Sequence, residues 1–284
     1  MALFTNQAQL SYNDIVINSN IAVGEIVEVL SASKTALSDT YGRNDDVTYI
    51  ISIINSGNTP FSGLTMTDDL GGYLNNGSTV YPLTYSDGSA RVFVNGVLQP
   101  APTVTAGPPL TFTNLNIPAN SNLLLVYEAD INSFAPLGTD GTITNTATIS
   151  GGGLSTPITV SETITVSASP ELTITKSIEP VPVQENGRLT YTFLIQNYGN
   201  TPADESFSAT LTDVFDPVLS GLTVLMNGAV WSEPANYTYD ETTGRFVTVP
   251  GQITVPAATF AQDPETGAVL ISPGVSTLTV TGTI

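Results

Sequence analysis

The chain has 284 residues, enough for two domains of ordinary size that each bury a hydrophobic core. It contains no cysteine and no histidine, which excludes disulfides, thiolate metal sites and the usual histidine general base. With only two lysines and four arginines the net charge is −19, so no basic patch for nucleic acid or an anionic membrane surface is expected.

Apolar and polar residues alternate along much of the chain, as in residues 47–54 and 190–195. This period of two is typical of β-strands, and no long helical periodicity interrupts it. Hairpin turns are indicated by Asn-Gly pairs that begin at Asn76, Asn95, Asn186 and Asn227. The sequence therefore predicts an all-β protein of two tandem Ig-like β-sandwich domains.

The first strand-like segment, residues 3–11, copies residues 143–150 in the middle of the chain. Both read Thr-Asn-x-Ala-x-(Leu/Ile)-Ser, with the asparagine at Asn6 in one copy and at Asn145 in the other. The central copy lies where a sandwich domain would place its last strand. One face of the first copy carries Phe4, Asn6, Ala8 and Leu10, which we expect to face a core.

The two predicted domains, residues 32–150 and 171–284, repeat one another, which indicates tandem modules. Lys34 and Lys176 are separated by 142 residues, and so are the Asn-x-Gly-Asn-Thr-Pro segments that begin at Asn55 and Asn197. After a short insertion, a Thr-Asp pair ending at Asp68 matches one ending at Asp213.

The second domain ends without a copy of the closing strand. The sequence therefore predicts that residues 1–11 are a donor strand, which completes the second domain of a neighbouring molecule. Residues 12–31 and 151–170 are then equivalent linkers, the second beginning with three glycines. Such a head-to-tail contact does not close on itself, so it propagates into a fibre of identical subunits.

Each domain is predicted to aim one lysine, one aspartate and one asparagine into its core, because alternate residues of a strand share a face. The first set is Lys34, Asp68 and Asn145; the second is Lys176 and Asp213, with Asn6 from a neighbouring molecule. Burial favours the neutral forms of lysine and aspartate. A neutral amine beside a carboxamide, with an aspartic acid to move protons, can form an isopeptide bond and release ammonia.

Two cross-links follow from these sets. Lys34 would join Asn145 within the chain, and Lys176 would join Asn6 between subunits, with Asp68 and Asp213 as the catalytic acids. The alternatives are a buried ion pair with asparagine as a hydrogen-bond partner, or side chains that lean outward. No metal or cofactor is expected, since acidic turns such as residues 44–46 lack the spacing of a calcium loop.

The order Lys, then Tyr-x-(Ile/Phe)-x-Ile-x-Asn-x-Gly-Asn-Thr-Pro, then Thr-Asp, then Thr-Asn-x-Ala resembles a known family. It is similar to the "conserved repeat" domain of unknown function, number eleven of that series, found in tandem in prokaryotic surface proteins. The lysine, aspartate and asparagine order also resembles the isopeptide domains of Gram-positive pilins and adhesins. These resemblances imply Ig-like modules in surface stalks and filaments, without enzymatic activity.

The predicted function is that of a structural subunit of a pilus-like filament outside the cell, on a cell or spore surface. No signal peptide is visible at Met1, which indicates a mature form or a non-secretory route such as deposition on a spore. The alternative is a monomeric stalk or adhesin fragment of a longer tandem-repeat surface protein.

Overall fold

The computed structural model of the protein describes residues 2–284, except for the side chains of Ala2 and Ile26. Nearly all regular structure in this range is β-strand, and its one helix is a 3₁₀ turn at Glu205–Phe207. The predicted all-β class with tandem sandwich modules is confirmed. Within the described residues, no helix has the length and apolar character needed to cross a membrane.

The N-terminal segment forms two small antiparallel pairs, β1 with β4 and β2 with β3. Their bounds are β1 Ala2–Asn6, β2 Gln9–Tyr12, β3 Ile15–Asn18 and β4 Ala22–Ile26. The predicted continuous strand over residues 3–11 is thus interrupted at Gln7 and Ala8 in the single chain. The interruption is held by Ser19, whose hydroxyl accepts a hydrogen bond from the Ala8 amide at 2.9 Å. In the single chain, the backbone of this segment pairs with residues 15–26.

Module 1 is a sandwich of two six-stranded sheets. Its strands are β5 Leu30–Ala36, β6 Thr40–Tyr41, β7 Asp46–Asn55, β8 Phe61–Asp68, β9 Tyr73–Asn75, β10 Ser78–Val80, β11 Leu83–Tyr85, β12 Arg91–Val94, β13 Val97–Leu98, β14 Thr103–Thr105, β15 Leu110–Ile117, β16 Ser121–Ile131, β17 Thr142–Gly151 and β18 Ile158–Val166. One sheet has the order β13-β12-β16-β7-β5, with β11 also on β16, and the other has the order β14-β15-β8-β17-β18-β6. The strands β9 and β10 form a separate hairpin.

The core of module 1 lies between the two sheets and follows from the alternation of the sequence. On β7, Tyr49, Ile51 and Ile53 are fully buried while the residues between them are half-buried. Met66 and Phe112 meet them from the opposite sheet. Each such side chain contributes roughly 1.5–3 kcal/mol by leaving water.

Module 2 repeats this plan with fewer strands. They are β19 Leu172–Glu179, β20 Arg188–Asn197, β21 Thr212–Val214, β22 Ser220–Met226, β23 Ala229–Trp231, β24 Tyr237–Asp240, β25 Arg245–Thr248, β26 Thr259–Gln262, β27 Val269–Ser272 and β28 Gly274–Thr283. The first sheet has the order β19-β20-β28-β22-β23, and the second has only β21-β25-β24. The strands β26 and β27 form a separate hairpin. A second core forms around Phe193, Phe215 and Phe246.

The second sheet of module 2 matches only part of its counterpart in module 1. The strand β21 corresponds to β8, because the two carry the matching aspartates. Its neighbour β25 then corresponds to β15, the neighbour of β8, and β24 corresponds to β14. Within residues 171–284, no strand corresponds to β17 or β18. One edge of β21 is therefore open, and every residue of β19 is exposed.

The structure corrects both predicted linkers. Residues 151–170 contain β18, which pairs with β17 at eight positions and buries Ile164 completely. The three glycines at 151–153 all have positive φ and make the turn between these two strands. Residues 12–31 likewise contain β3, β4 and the first residues of β5. Module 1 therefore extends from about β5 through β18.

Candidate cross-linking sites

The lysine and aspartate of module 1 form a buried ion pair. Lys34 on β5 donates a hydrogen bond from Nζ to Oδ2 of Asp68 on β8 at 2.6 Å, and neither side chain is exposed to solvent. The backbone amide of Leu70 donates to the other carboxylate oxygen at 2.9 Å. A buried charge of this kind is tolerated only when it is paired and hydrogen-bonded, as both groups are here.

A tyrosine connects this pair to the asparagine. The hydroxyl of Tyr127 on β16 donates to Asp68 Oδ2 at 2.5 Å and accepts a hydrogen bond from Asn145 Nδ2 at 3.3 Å. Asn145 lies on β17 and is fully buried. The structure thus brings Lys34, Asp68 and Asn145 into one cluster, the first two in direct contact and the third through Tyr127.

Strand register places these side chains together. Ala147 of β17 lies opposite Asp68 of β8, so Asn145, two residues along, shares the inward face. On the other side of β17, Asn145 pairs with Glu162 of β18, which puts a half-buried carboxylate near the cluster. Lys34 reaches the cluster from the facing sheet.

Two buried polar atoms beside the ion pair have no hydrogen-bond partner among the described side chains: the carbonyl oxygen Oδ1 of Asn145 and the hydroxyl of Tyr49. An unsatisfied buried acceptor costs roughly 1–3 kcal/mol. The oxygen Oδ1 of Asn145 is therefore free to accept a proton. A proton on this oxygen stabilises the negative charge that develops there when a nucleophile attacks Cγ.

Burial shifts the pKa values of two groups in the cluster, Lys34 and Tyr127. It lowers the pKa of Lys34 below the usual 10.5, an effect that the charge of Asp68 partly opposes. The pKa of Tyr127 is raised well above its usual value, first by burial and then by the neighbouring Asp68 carboxylate, so the hydroxyl keeps its proton. Passing one proton along the Lys34–Asp68 hydrogen bond leaves a neutral amine and a carboxylic acid. These are the nucleophile and the acid of amide exchange.

The corresponding pair in module 2 is open to solvent. Lys176 on β19 donates a hydrogen bond to Asp213 on β21, but its side chain is 39% exposed, against none for Lys34. Its ammonium lies 4.2 Å from the centre of the Tyr191 ring. Asn6, the predicted partner of Lys176, lies exposed on β1, and the single chain does not bring these two residues together.

The two sites also differ at the position of the bridging tyrosine. Tyr127 lies opposite Tyr49 on neighbouring strands, and the matching partner of Tyr191 is Val280. The role of Tyr127 was not anticipated from the sequence. The alternation of β16 places Tyr127 on the same inward face as Leu123 and Leu125. An aromatic residue in an apolar run usually indicates packing, so nothing in the sequence indicated its hydrogen bond to Asp68.

An apolar groove runs beside the open pair, between β19 and β21. It has a volume of about 300 Å³ and is lined by Leu172, Ile174, Ile195, Ala209, Leu211 and Ile253. The predicted donor residues Phe4, Asn6, Ala8 and Leu10 are all exposed, and none lies in this groove in the single chain. Within residues 2–284, no group of three or more acidic side chains is arranged to hold a metal ion.

No family model matches the chain, and no curated protein matches it. Among solved structures, the pilus backbone protein RrgB of Streptococcus pneumoniae aligns with a TM-score of 0.36 and 10% identity, over 86% of this chain and 55% of that one. The major pilin subunit BcpA of Bacillus cereus aligns with a TM-score of 0.35 and 14% identity, over 95% and 73%. The collagen-binding domain of a Staphylococcus aureus adhesin aligns with a TM-score of 0.31 and 12% identity, over 49% and 99%. The chain thus spans about half the length of RrgB.

Proposed function

We propose that the protein is the structural subunit of a filament on a cell or spore surface, polymerised head-to-tail by strand donation. Residues 3–11 of one subunit add to the open edge of β21 in the next. The observation that carries this proposal is the contrast between the modules. In module 1, β17 covers β8 and closes the core; the matching edge in module 2 is open, and the chain carries a second copy of the β17 sequence at residues 3–11.

The register of module 1 supports a specific contact. Ala147 lies opposite Asp68 and Ile149 opposite Met66, so in the proposed contact Ala8 lies opposite Asp213 and Leu10 opposite Leu211. Leu10 then leaves solvent for the groove beside Leu211, which contributes roughly 1.5–3 kcal/mol. A slip of one residue would turn all these side chains outward, so the alternation disfavours that register.

The self-paired state of the N-terminal segment has a role before assembly. An exposed, unpaired strand beside an open sheet edge would pair indiscriminately with other chains. In the free chain, β1 forms backbone hydrogen bonds with β4, and β2 forms them with β3. Assembly therefore exchanges pairing within the chain for pairing with a neighbour, and the burial of apolar side chains favours the second.

The proposal includes an isopeptide bond in each module. The neutral Lys34 amine attacks Cγ of Asn145, a C–N bond to Nζ forms, and the bond from Cγ to Nδ2 breaks. Asp68 protonates the carboxamide oxygen, takes a proton from the attacking amine and passes it to the departing nitrogen, so that ammonia leaves; the oxygen then returns its proton to Asp68. In the polymer, Lys176 and Asp213 of one subunit would act in the same way on Asn6 of the next.

Two substitutions at neighbouring positions test strand donation. Ala8→Arg is expected to abolish fibres under conditions in which the wild-type chain assembles completely, because it places a charge in the recipient core. Gln7→Arg is the matched control and should assemble normally, because its side chain faces outward in the proposed register. Light scattering and negative-stain microscopy measure both.

Equal assembly of the two variants would contradict the assigned face of the donor strand. A wild-type chain that stays monomeric at all concentrations would instead support the stalk-fragment alternative. In either variant the fold of module 1 should be unchanged, because the substituted side chains are exposed in the free chain.

The bond within module 1 is tested by intact mass. The wild-type monomer should be lighter than its sequence by one ammonia, about 17 Da, since amide exchange releases that group. Asp68→Ala should restore the full mass, and Tyr127→Phe should slow the loss, because it removes the hydroxyl between the acid and Asn145. An unmodified wild-type mass would leave only the hydrogen-bonded ion pair.

A further inference from the structure

The donated element is proposed to comprise two strands. We infer that residues 21–27 of the donor accompany residues 3–11 and form the next strand of the recipient's second sheet, alongside β19. This inference rests on the proposed function and extends it, by assigning an intermolecular binding role to a segment that the sequence alone suggested was a linker.

The first observation is a second sequence copy. Residues 21–27 read Ile-Ala-Val-Gly-Glu-Ile-Val, and residues 158–164 read Ile-Thr-Val-Ser-Glu-Thr-Ile. Identical residues occupy the first, third and fifth positions, and the seventh is branched and apolar in both. These alternate positions are the ones that share a face in a strand. The N-terminal segment therefore repeats the whole β17–β18 hairpin of module 1.

The second observation is what β18 does in module 1. It pairs with β17 along its length, buries Ile164 fully, and packs Ile158 and Val160 against the core. Its Glu162 lies opposite Asn145 and is among the charges that raise the pKa of Lys34 against the effect of burial. With β18 in place, the Lys34 side chain has no exposure to solvent.

The third observation is the number of strands missing from module 2. Within residues 171–284, its second sheet has three strands where that of module 1 has six, and neither β17 nor β18 has a counterpart there. On β19, Leu172, Ile174 and Ile178 are each at least 41% exposed. A single donated strand would itself remain an open edge. A donated hairpin supplies both missing strands.

The register of β17 and β18 carries over directly. Asn145 lies opposite Glu162 and Ala147 opposite Val160, which pairs Asn6 with Glu25 and Ala8 with Val23 in the docked hairpin. The free chain pairs Asn6 with Ala22 instead, a register that differs by three residues. An odd shift exchanges the faces of one strand relative to the other, so docking requires the hairpin to open and pair again.

Hydrogen exchange on assembled fibres and on the assembly-deficient Ala8→Arg monomer tests the inference directly. We expect backbone amides of residues 21–27 to exchange at least about tenfold more slowly in fibres, because they join a continuous sheet. The amides of residues 3–11 serve as the internal reference for strand donation itself. Protection of residues 3–11 with unchanged exchange at 21–27 would overturn the two-strand inference and leave the proposed function standing.

A matched pair of variants gives an independent result. Val27 takes the place of the buried Ile164, and Ala22 that of the exposed Thr159. Val27→Arg is expected to slow assembly about tenfold or more by placing a charge against the recipient core, while Ala22→Arg assembles as the wild type does. Val27 is 62% exposed in the free chain, so the substitution leaves its fold intact, as circular dichroism would verify. Equal assembly rates for the two variants would overturn the inference.

Discussion

Fibres boiled in detergent should survive as a ladder or as material too large to enter a gel, and Asn6→Ala should reduce them to monomer. The reason is that each junction would carry an amide bond between Lys176 and Asn6, which heat and detergent do not break. Removing the carboxamide leaves only strand pairing and the buried apolar side chains, which denature on boiling. Denaturing electrophoresis measures the difference.

The control for this experiment is Asn145→Ala. It removes the bond within module 1 and leaves the junction intact, so its fibres should still resist boiling. Asn6→Ala should still assemble, because Phe4, Ala8 and Leu10 remain, but its fibres should be reversible. Wild-type fibres that boil cleanly to monomer would show that strand donation alone holds the polymer. With the bond, persistence becomes kinetic, since a transiently unfolded module cannot release its partner.

The faces of the strands could be predicted from the sequence, because the period of two is fixed by strand geometry. Lys34, Asp68 and Asn145 each fell in phase with apolar neighbours, and the structure places all three in one buried cluster. The tandem modules could be predicted because matching residues recur at a constant offset along the chain. These inferences needed only local alternation and a count of residues.

What remained unpredicted depends on contacts distant in sequence. The strand β18 has serine and threonine on its outward face, so after three glycines its composition suggested a linker. Its strand character comes from pairing with β17 and burying Ile164. The hydrogen bond between Tyr127 and Asp68 joins residues 59 positions apart on facing sheets. No local pattern distinguishes such a tyrosine from one that only packs.

The two lysines should differ sharply in what they contribute to the stability of the monomer. Lys34→Met is expected to lower the free energy of unfolding of module 1 by about 3–5 kcal/mol, because it leaves the Asp68 carboxylate buried without its cation. Lys176→Met should cost module 2 less than about 1 kcal/mol, since a partly exposed pair is screened by solvent. Denaturant unfolding of the Ala8→Arg, Asn145→Ala monomer, which can neither assemble nor cross-link, measures both.

A double substitution separates the unpaired charge from other causes of instability. Lys34→Met combined with Asp68→Leu removes both charges and should recover most of the loss, because apolar side chains of similar size can replace a buried ion pair at little cost. If the single and double variants are equally unstable, the loss reflects altered packing around Tyr49 and Tyr127. If Lys34→Met and Lys176→Met are equally mild, the module 1 pair is hydrated in solution. A large loss at Lys34 alone would mean that the module 1 pair is desolvated within each subunit, whereas the matching pair of module 2 is solvated in the free chain.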